Sequence, residues 1–177
     1  MKSDYVILVD EADNEIGVEE KLKAHLKGDL HRAISVFIFN SENKMLLQKR
    51  AETKYHSGGL WTNTCCSHPM VGENTGNAAK RRLREEMGID CDSLKFIFHF
   101  IYKAQLDNNL IEHELDHVFI AKSDVKPLPD PDEVSDWKYA SFEEIEQDLK
   151  LNPNNYSHWF KLILKRVKTL AQENHLI

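Results

Sequence analysis

The stretch Ser67–Ile89 reads SHPMVGENTGNAAKRRLREEMGI. Within it, Ala79, Leu83 and Met87 recur four apart, the spacing of one face of a helix running from Thr75 to Met87. Gly88 follows as the usual C-terminal stop. Arg81 with Glu85, and Arg82 with Glu86, are also four apart and pair along the helix surface. A helix with one apolar face must cover a layer of other residues, and the flanking sequence supplies that layer.

Upstream, Ile34–Phe39 and Met45–Leu47 are strand-like runs around a turn at Asn40–Lys44, and read as a hairpin with a longer loop. Tyr5–Val9 is a further strand, followed by a turn at Glu11–Asn14, and Glu19–Leu26 reads as helix. Glu52–Gly59 is polar loop. Downstream, Leu94–Leu106 and Leu110–Ala121 are long strands joined at Asp107–Asn109. Lys126–Pro131 is a proline-rich loop and Trp137–Tyr139 a short strand. Ser141 and Glu144 form a capping box that opens a helix to about Leu149. Tyr156–Gln172 is a longer amphipathic helix with Trp159, Leu162, Ile163 and Val167 on one face. Interleaved helices and strands predict a mixed-sheet α/β sandwich, and 177 residues suffice for one domain.

The net charge of −6 gives no basic field for nucleic acid or anionic lipid. Cys65, Cys66 and Cys91 are odd in number and two are adjacent, which argues against a disulfide framework and for a reducing, cytoplasmic setting. The acidic N-terminus lacks a signal-peptide core, and Ile34–Phe39 is too short to span a bilayer. No segment advertises a symmetric apolar interface, so a monomer is expected.

Three clusters bear chemistry. His25 and His31 flank the loop Lys27–Asp29; Cys66 is followed by His68; Glu112-His113-Glu114 lies on a predicted strand. Side chains alternate along a strand, so Glu112 and Glu114 share a face and His113 opposes them. Two carboxylates side by side repel unless a cation sits between them. Three imidazoles with two carboxylates suit Mn²⁺ or Zn²⁺ better than Ca²⁺. With nine histidines in the chain, ordinary surface or core roles compete with that reading.

The opening stretch also resembles the Nudix box, G-x5-E-x7-R-E-U-x-E-E-x-G-U, where U is aliphatic. Glu73, Arg81, Leu83, Glu85, Glu86, Gly88 and Ile89 match it; Ser67 replaces the leading glycine and Arg82 the first acid of the core. Together with LHRAISVFIFN, WTNTCCSHP and IEHELDHVF, the chain resembles the type I isopentenyl-diphosphate Δ-isomerases from about Tyr5 to Trp159. The resemblance implies a Nudix-like α/β/α sandwich in a single domain, residues 1–177, with the core at about 30–165. It implies interconversion of isopentenyl and dimethylallyl diphosphate by protonation and deprotonation. By resemblance, Cys66 and Glu114 are the two acid/base groups, Tyr102 tunes Glu114, and Cys65 is a packing residue. His25, His31, His68, Glu112 and Glu114 correspond to the metal site, filled by Mn²⁺, Zn²⁺ or Mg²⁺. A Mg²⁺ entering with the diphosphate corresponds to Glu86 and the Cys66 carbonyl. Lys21, Arg50, Lys54 and Arg82 correspond to a diphosphate clamp, and Trp159 to the aromatic facing the hydrocarbon tail. The competing readings are a Nudix diphosphohydrolase, against which Arg82 counts, and a diphosphate-binding module without turnover.

Overall fold

A computed structural model describes residues 4–54 and 56–177. Its central strand is β3 (His31–Phe39), every residue of which is buried. One edge of β3 runs parallel to β8 (Ile111–Lys122) along its whole length, from His31 opposite Glu114 to Phe39 opposite Lys122. The other edge is shared by three partners in turn. These are β1 (Tyr5–Val9) at His31, β6 (Cys65–Ser67) at Ile34–Val36, and β4 (Met45–Arg50) at Phe39. Sharing one edge this way splays β1 and β4 apart and leaves a cleft above β6.

The expected hairpin of β3 with β4 is therefore corrected: the two meet at one pair, Phe39 with Met45, and diverge. Instead β4 pairs with β5 (Trp61–Thr62) and with β9 (Val134–Ala140). The hairpin of β7 (Lys95–Gln105) with β8 forms as expected, through a short turn at Asp107–Asn109. The expected helix Glu19–Leu26 is shifted. Glu19 and Glu20 belong to β2 (Glu15–Glu20), held extended against Val6 and Tyr5, and α1 starts at Lys21 and runs to Lys27. Tertiary pairing overrides local helix preference there.

The helices cover both faces. The opening stretch forms α2 (Thr75–Met87), capped by the Asn74 side chain and ended by Gly88 at φ 64°. A Cβ at Gly88 would stand 2.6 Å from the Leu128 carbonyl oxygen, so glycine is required on both counts. Ala79, Leu83 and Met87 are fully buried against Ile34, Val36, Ile38 and Phe119. On the opposite face α3 (Phe142–Leu151), with both capping-box hydrogen bonds made, and α4 (His158–Glu173) cover Phe37, Phe39, Val118 and Ile120. On α4 the buried stripe is Trp159, Ile163 and Val167 with Phe160 and Leu164. Leu162, expected on that face, is 52% exposed, because it lies about a third of a turn from the centre of the stripe.

Candidate active site

Side-chain alternation on β6 decides the roles of the two adjacent cysteines. Cys65 pairs with Val36 and is fully buried in the α2 core. Cys66 pairs with Ser35 on the other face and opens into a cavity of about 590 Å³. On the far side of β3, Glu114 is the partner of His31. Directly opposed residues share a face, so His31, Ser35, Cys66 and Glu114 all project to one side of the sheet. Two strands flanking one central strand thus carry a thiol and a carboxylate to the same cavity.

Burial pushes the Cys66 thiol up to about 12, partly offset by the Arg50 guanidinium, whose Nη1 donates to Sγ at 3.5 Å. Cys66 is therefore protonated at neutral pH. Glu114 behaves oppositely. Burial alone would raise it, but the His31 and His68 rings outweigh burial and hold it well below the usual carboxylate range. His68 Nε2 lies 3.0 Å from Oε1, and the Tyr102 hydroxyl donates to Oε2 at 2.7 Å. Glu112, two residues away on the same face, is driven well above the usual range by burial and by Glu114. Neighbouring carboxylates whose environments separate their proton affinities are the pattern of an acid/base site.

One ligand atom each from His25, His31, His68 and Glu114 lie within 4.8 Å of one another. His25 Nδ1 is 2.7 Å from the Lys21 carbonyl and His31 Nδ1 is 2.8 Å from the Asp29 carbonyl. Each therefore donates from Nδ1 and keeps its lone pair on Nε2, the arrangement of a metal-ligating histidine. His31 Nε2 is buried with no hydrogen-bond partner among the described residues. Burial first, then neighbouring positive groups, lowers His25 to about 4 and His68 to about 3, so both are neutral at pH 7. This donor set fits a divalent cation. Glu112, expected as a fifth ligand, stands outside the four; its Oε1 is 3.5 Å from His56 Nδ1, and its Oε2 is buried without a hydrogen bond among the described residues.

Lys21, Arg50, Lys54 and Arg82 line the cavity, with Glu86, Asp132 and Glu133 among them. Burial, then Arg50 and Lys54, lowers Lys21 to about 8. Arg82 donates to Glu86 at 2.7 Å, and Gln48 donates to the other Glu86 oxygen at 3.0 Å. Trp159 lines the cavity as well. Its Nε1–H donates to Asn63 Oδ1 at 3.0 Å, and the Arg50 guanidinium lies 5.4 Å from its ring centre. Of the site residues expected from sequence, all but His25 and His31 line the cavity, and those two are fully buried in the histidine cluster. Sequence reading missed Glu133, Gln48, His56 and Asn63. Each is an ordinary polar residue in a turn or strand, with no spacing signal to mark it.

The fold and the relatives agree. The family model described as NUDIX domain matches residues 29–161. Among solved structures, DR0079 from Deinococcus radiodurans superposes with a TM-score of 0.76 at 18% identity, covering 91% of this chain and 98% of that one. A MutT NUDIX hydrolase from Burkholderia pseudomallei gives 0.63 at 18%, covering 78% and 98%. Curated sequences are much nearer. Isopentenyl-diphosphate Delta-isomerase 1 of Aromatoleum aromaticum is 54% identical over 97% of this chain and 96% of its own length. Isopentenyl-diphosphate Delta-isomerase of Pectobacterium atrosepticum is 56% identical over 92% and 90%. With that match over most of the Nudix scaffold and more than half of its residues identical to these curated relatives, the chain belongs to the NUDIX domain family and, within it, to the isopentenyl-diphosphate Delta-isomerases.

Proposed function

We propose that the chain interconverts isopentenyl diphosphate and dimethylallyl diphosphate, with Cys66 and Glu114 as the two proton-transfer groups. The observation that carries this is the placement of a protonated thiol and an ionised carboxylate on strands flanking β3, both facing a cavity that Lys21, Arg50, Lys54 and Arg82 also line. Moving a double bond by one carbon adds one proton and removes another, with no redox change. Cys66 gives its proton to the terminal alkene carbon, and a tertiary carbocation forms. Glu114 takes a proton from the adjacent methylene, and the new double bond closes. The Tyr102 hydroxyl stabilises the ionised form of Glu114. The Trp159 indole faces the hydrocarbon, stabilises the cation by roughly 0.5–2 kcal/mol and excludes water that would quench it.

His25, His31, His68 and Glu114 would hold a divalent ion, with Glu112 beside them. Three imidazoles favour Mn²⁺ or Zn²⁺ at that position. Glu86 and the Cys66 carbonyl are the groups for a Mg²⁺ carried by the diphosphate, while Lys21, Arg50, Lys54 and Arg82 bind phosphate oxygens by charge-assisted hydrogen bonds. A cation among the histidines would supply positive charge, and Glu114 would be held in its deprotonated form beside it.

The test is to incubate the chain with isopentenyl diphosphate, Mg²⁺ and Mn²⁺ in D₂O and follow products by NMR. Dimethylallyl diphosphate carrying deuterium, with its diphosphate intact, is expected. Released phosphate or prenyl monophosphate would instead make the chain a hydrolase and remove Cys66 and Glu114 from these roles.

A further inference from the structure

Glu133 precedes β9 and is 2% exposed, yet it lines the cavity beside Lys54 and Arg82. Its Oε2 accepts from Lys54 Nζ, and its Oε1 is 3.4 Å from Arg82 Nη2. Its own carbonyl accepts from Ala51 N–H at 3.0 Å, which ties it to the start of the loop that carries Lys54. One carboxylate thus takes a cation from the loop after β4 and a second from α2. Arg50 and Lys21 line the same cavity.

A full negative charge beside an anion-binding site opposes the ligand. Pairing two largely buried cations accounts for a carboxylate here, and it also sets a negative charge where the anion must bind. The reaction gives the charge a purpose. Substrate and product carry the same diphosphate, so tight binding of that group is uniform across the reaction. It lowers KM without lowering the barrier, and it delays product release.

We propose that Glu133 is an internal competitor of the diphosphate: it neutralises Lys54 and Arg82 before ligand arrives and gives up Lys54 to the phosphate on binding, so that product can leave. This rests on the reading of Lys54 and Arg82 as diphosphate ligands. It makes Glu133 a residue that sets affinity without touching the reacting carbons.

The experiment is calorimetric titration of the full chain with magnesium pyrophosphate, native and Glu133→Gln. Glutamine keeps the shape and one acceptor oxygen, so the charge is what changes. The variant should bind about tenfold tighter, which corresponds to about 1.4 kcal/mol, and in turnover should lower KM and kcat together. Equal or weaker binding overturns the proposal, since a mere scaffold would lose affinity and not gain it. A crystal structure of the native chain with pyrophosphate needs no variant. Lys54 Nζ on a phosphate oxygen and away from Glu133 supports the proposal; Lys54 still on Glu133, with phosphate bound elsewhere, overturns it. A native chain that binds no pyrophosphate overturns the diphosphate reading itself, and this inference with it.

Discussion

Tyr102→Phe isolates one hydrogen bond at the base. The hydroxyl donates to Glu114 Oε2 at 2.7 Å, and the ring stacks on Phe100 with centroids 5.3 Å apart, packing that phenylalanine preserves. A hydrogen bond to an ionised group is worth about 1.5–3 kcal/mol. Its loss leaves a buried carboxylate oxygen with one donor fewer, so the ionised form is destabilised and the proton affinity of Glu114 rises. At about 1.4 kcal/mol per pH unit, the shift is about one to two units upward. Glu114 acts as base when ionised, above its pKa, so the acidic limb of kcat/KM against pH moves to higher pH by that amount. The assay is NMR of the isomerisation from about pH 3 to 8, native and variant side by side, a window that reaches the limb of a carboxylate held below its usual range. A variant whose acidic limb does not move would refute the assignment of Tyr102 to Glu114 in the working enzyme.

The two cysteines separate cleanly. Cys66→Ala abolishes deuterium incorporation with the fold intact, whereas Cys65→Ala retains turnover and loses about 1–2 kcal/mol in urea unfolding through lost burial and a small void. For Lys21, the pKa is lowered to about 8, so its charge is present below that value and disappears above it. Pyrophosphate affinity of the native chain therefore falls as pH rises through about 8, and Lys21→Met removes that step; an unchanged step in the variant would assign it elsewhere.

Local pattern made part of this molecule legible. The four-residue spacing of Ala79, Leu83 and Met87 located α2 and its buried face, and the alternation of Glu112, His113 and Glu114 placed the two acids together, with His113 donating instead to the Gly28 carbonyl. What stayed hidden depends on contacts between distant segments. Nothing near Glu19 says that it will be drawn into β2 by Val6. Nothing in the short turn Asn40–Lys44 says that β3 and β4 part after one pair. Glu133 is one more acid in a proline-rich loop until the fold sets it between Lys54 and Arg82. The resemblance supplied five metal ligands; four of them, His25, His31, His68 and Glu114, bring ligand atoms within 4.8 Å of one another, while Glu112 Oε1 lies 3.5 Å from His56 Nδ1.

The pairing of β6 with β3 spans three residues, Cys65 to Ser67. Within it the two thiols are identical in composition and differ in parity alone. Moving the strand by one residue would turn Cys65 to the cavity and Cys66 to the core, leaving the chain's charge and hydropathy untouched. So short a ladder is a weak index by itself. The Asn63 amide supplies the missing pin: it donates at 3.1 Å to the Val36 carbonyl and at 2.6 Å to that of Cys65, while its oxygen takes the Trp159 indole. The choice between acid and filler is thus kept by an amide that touches neither sulfur.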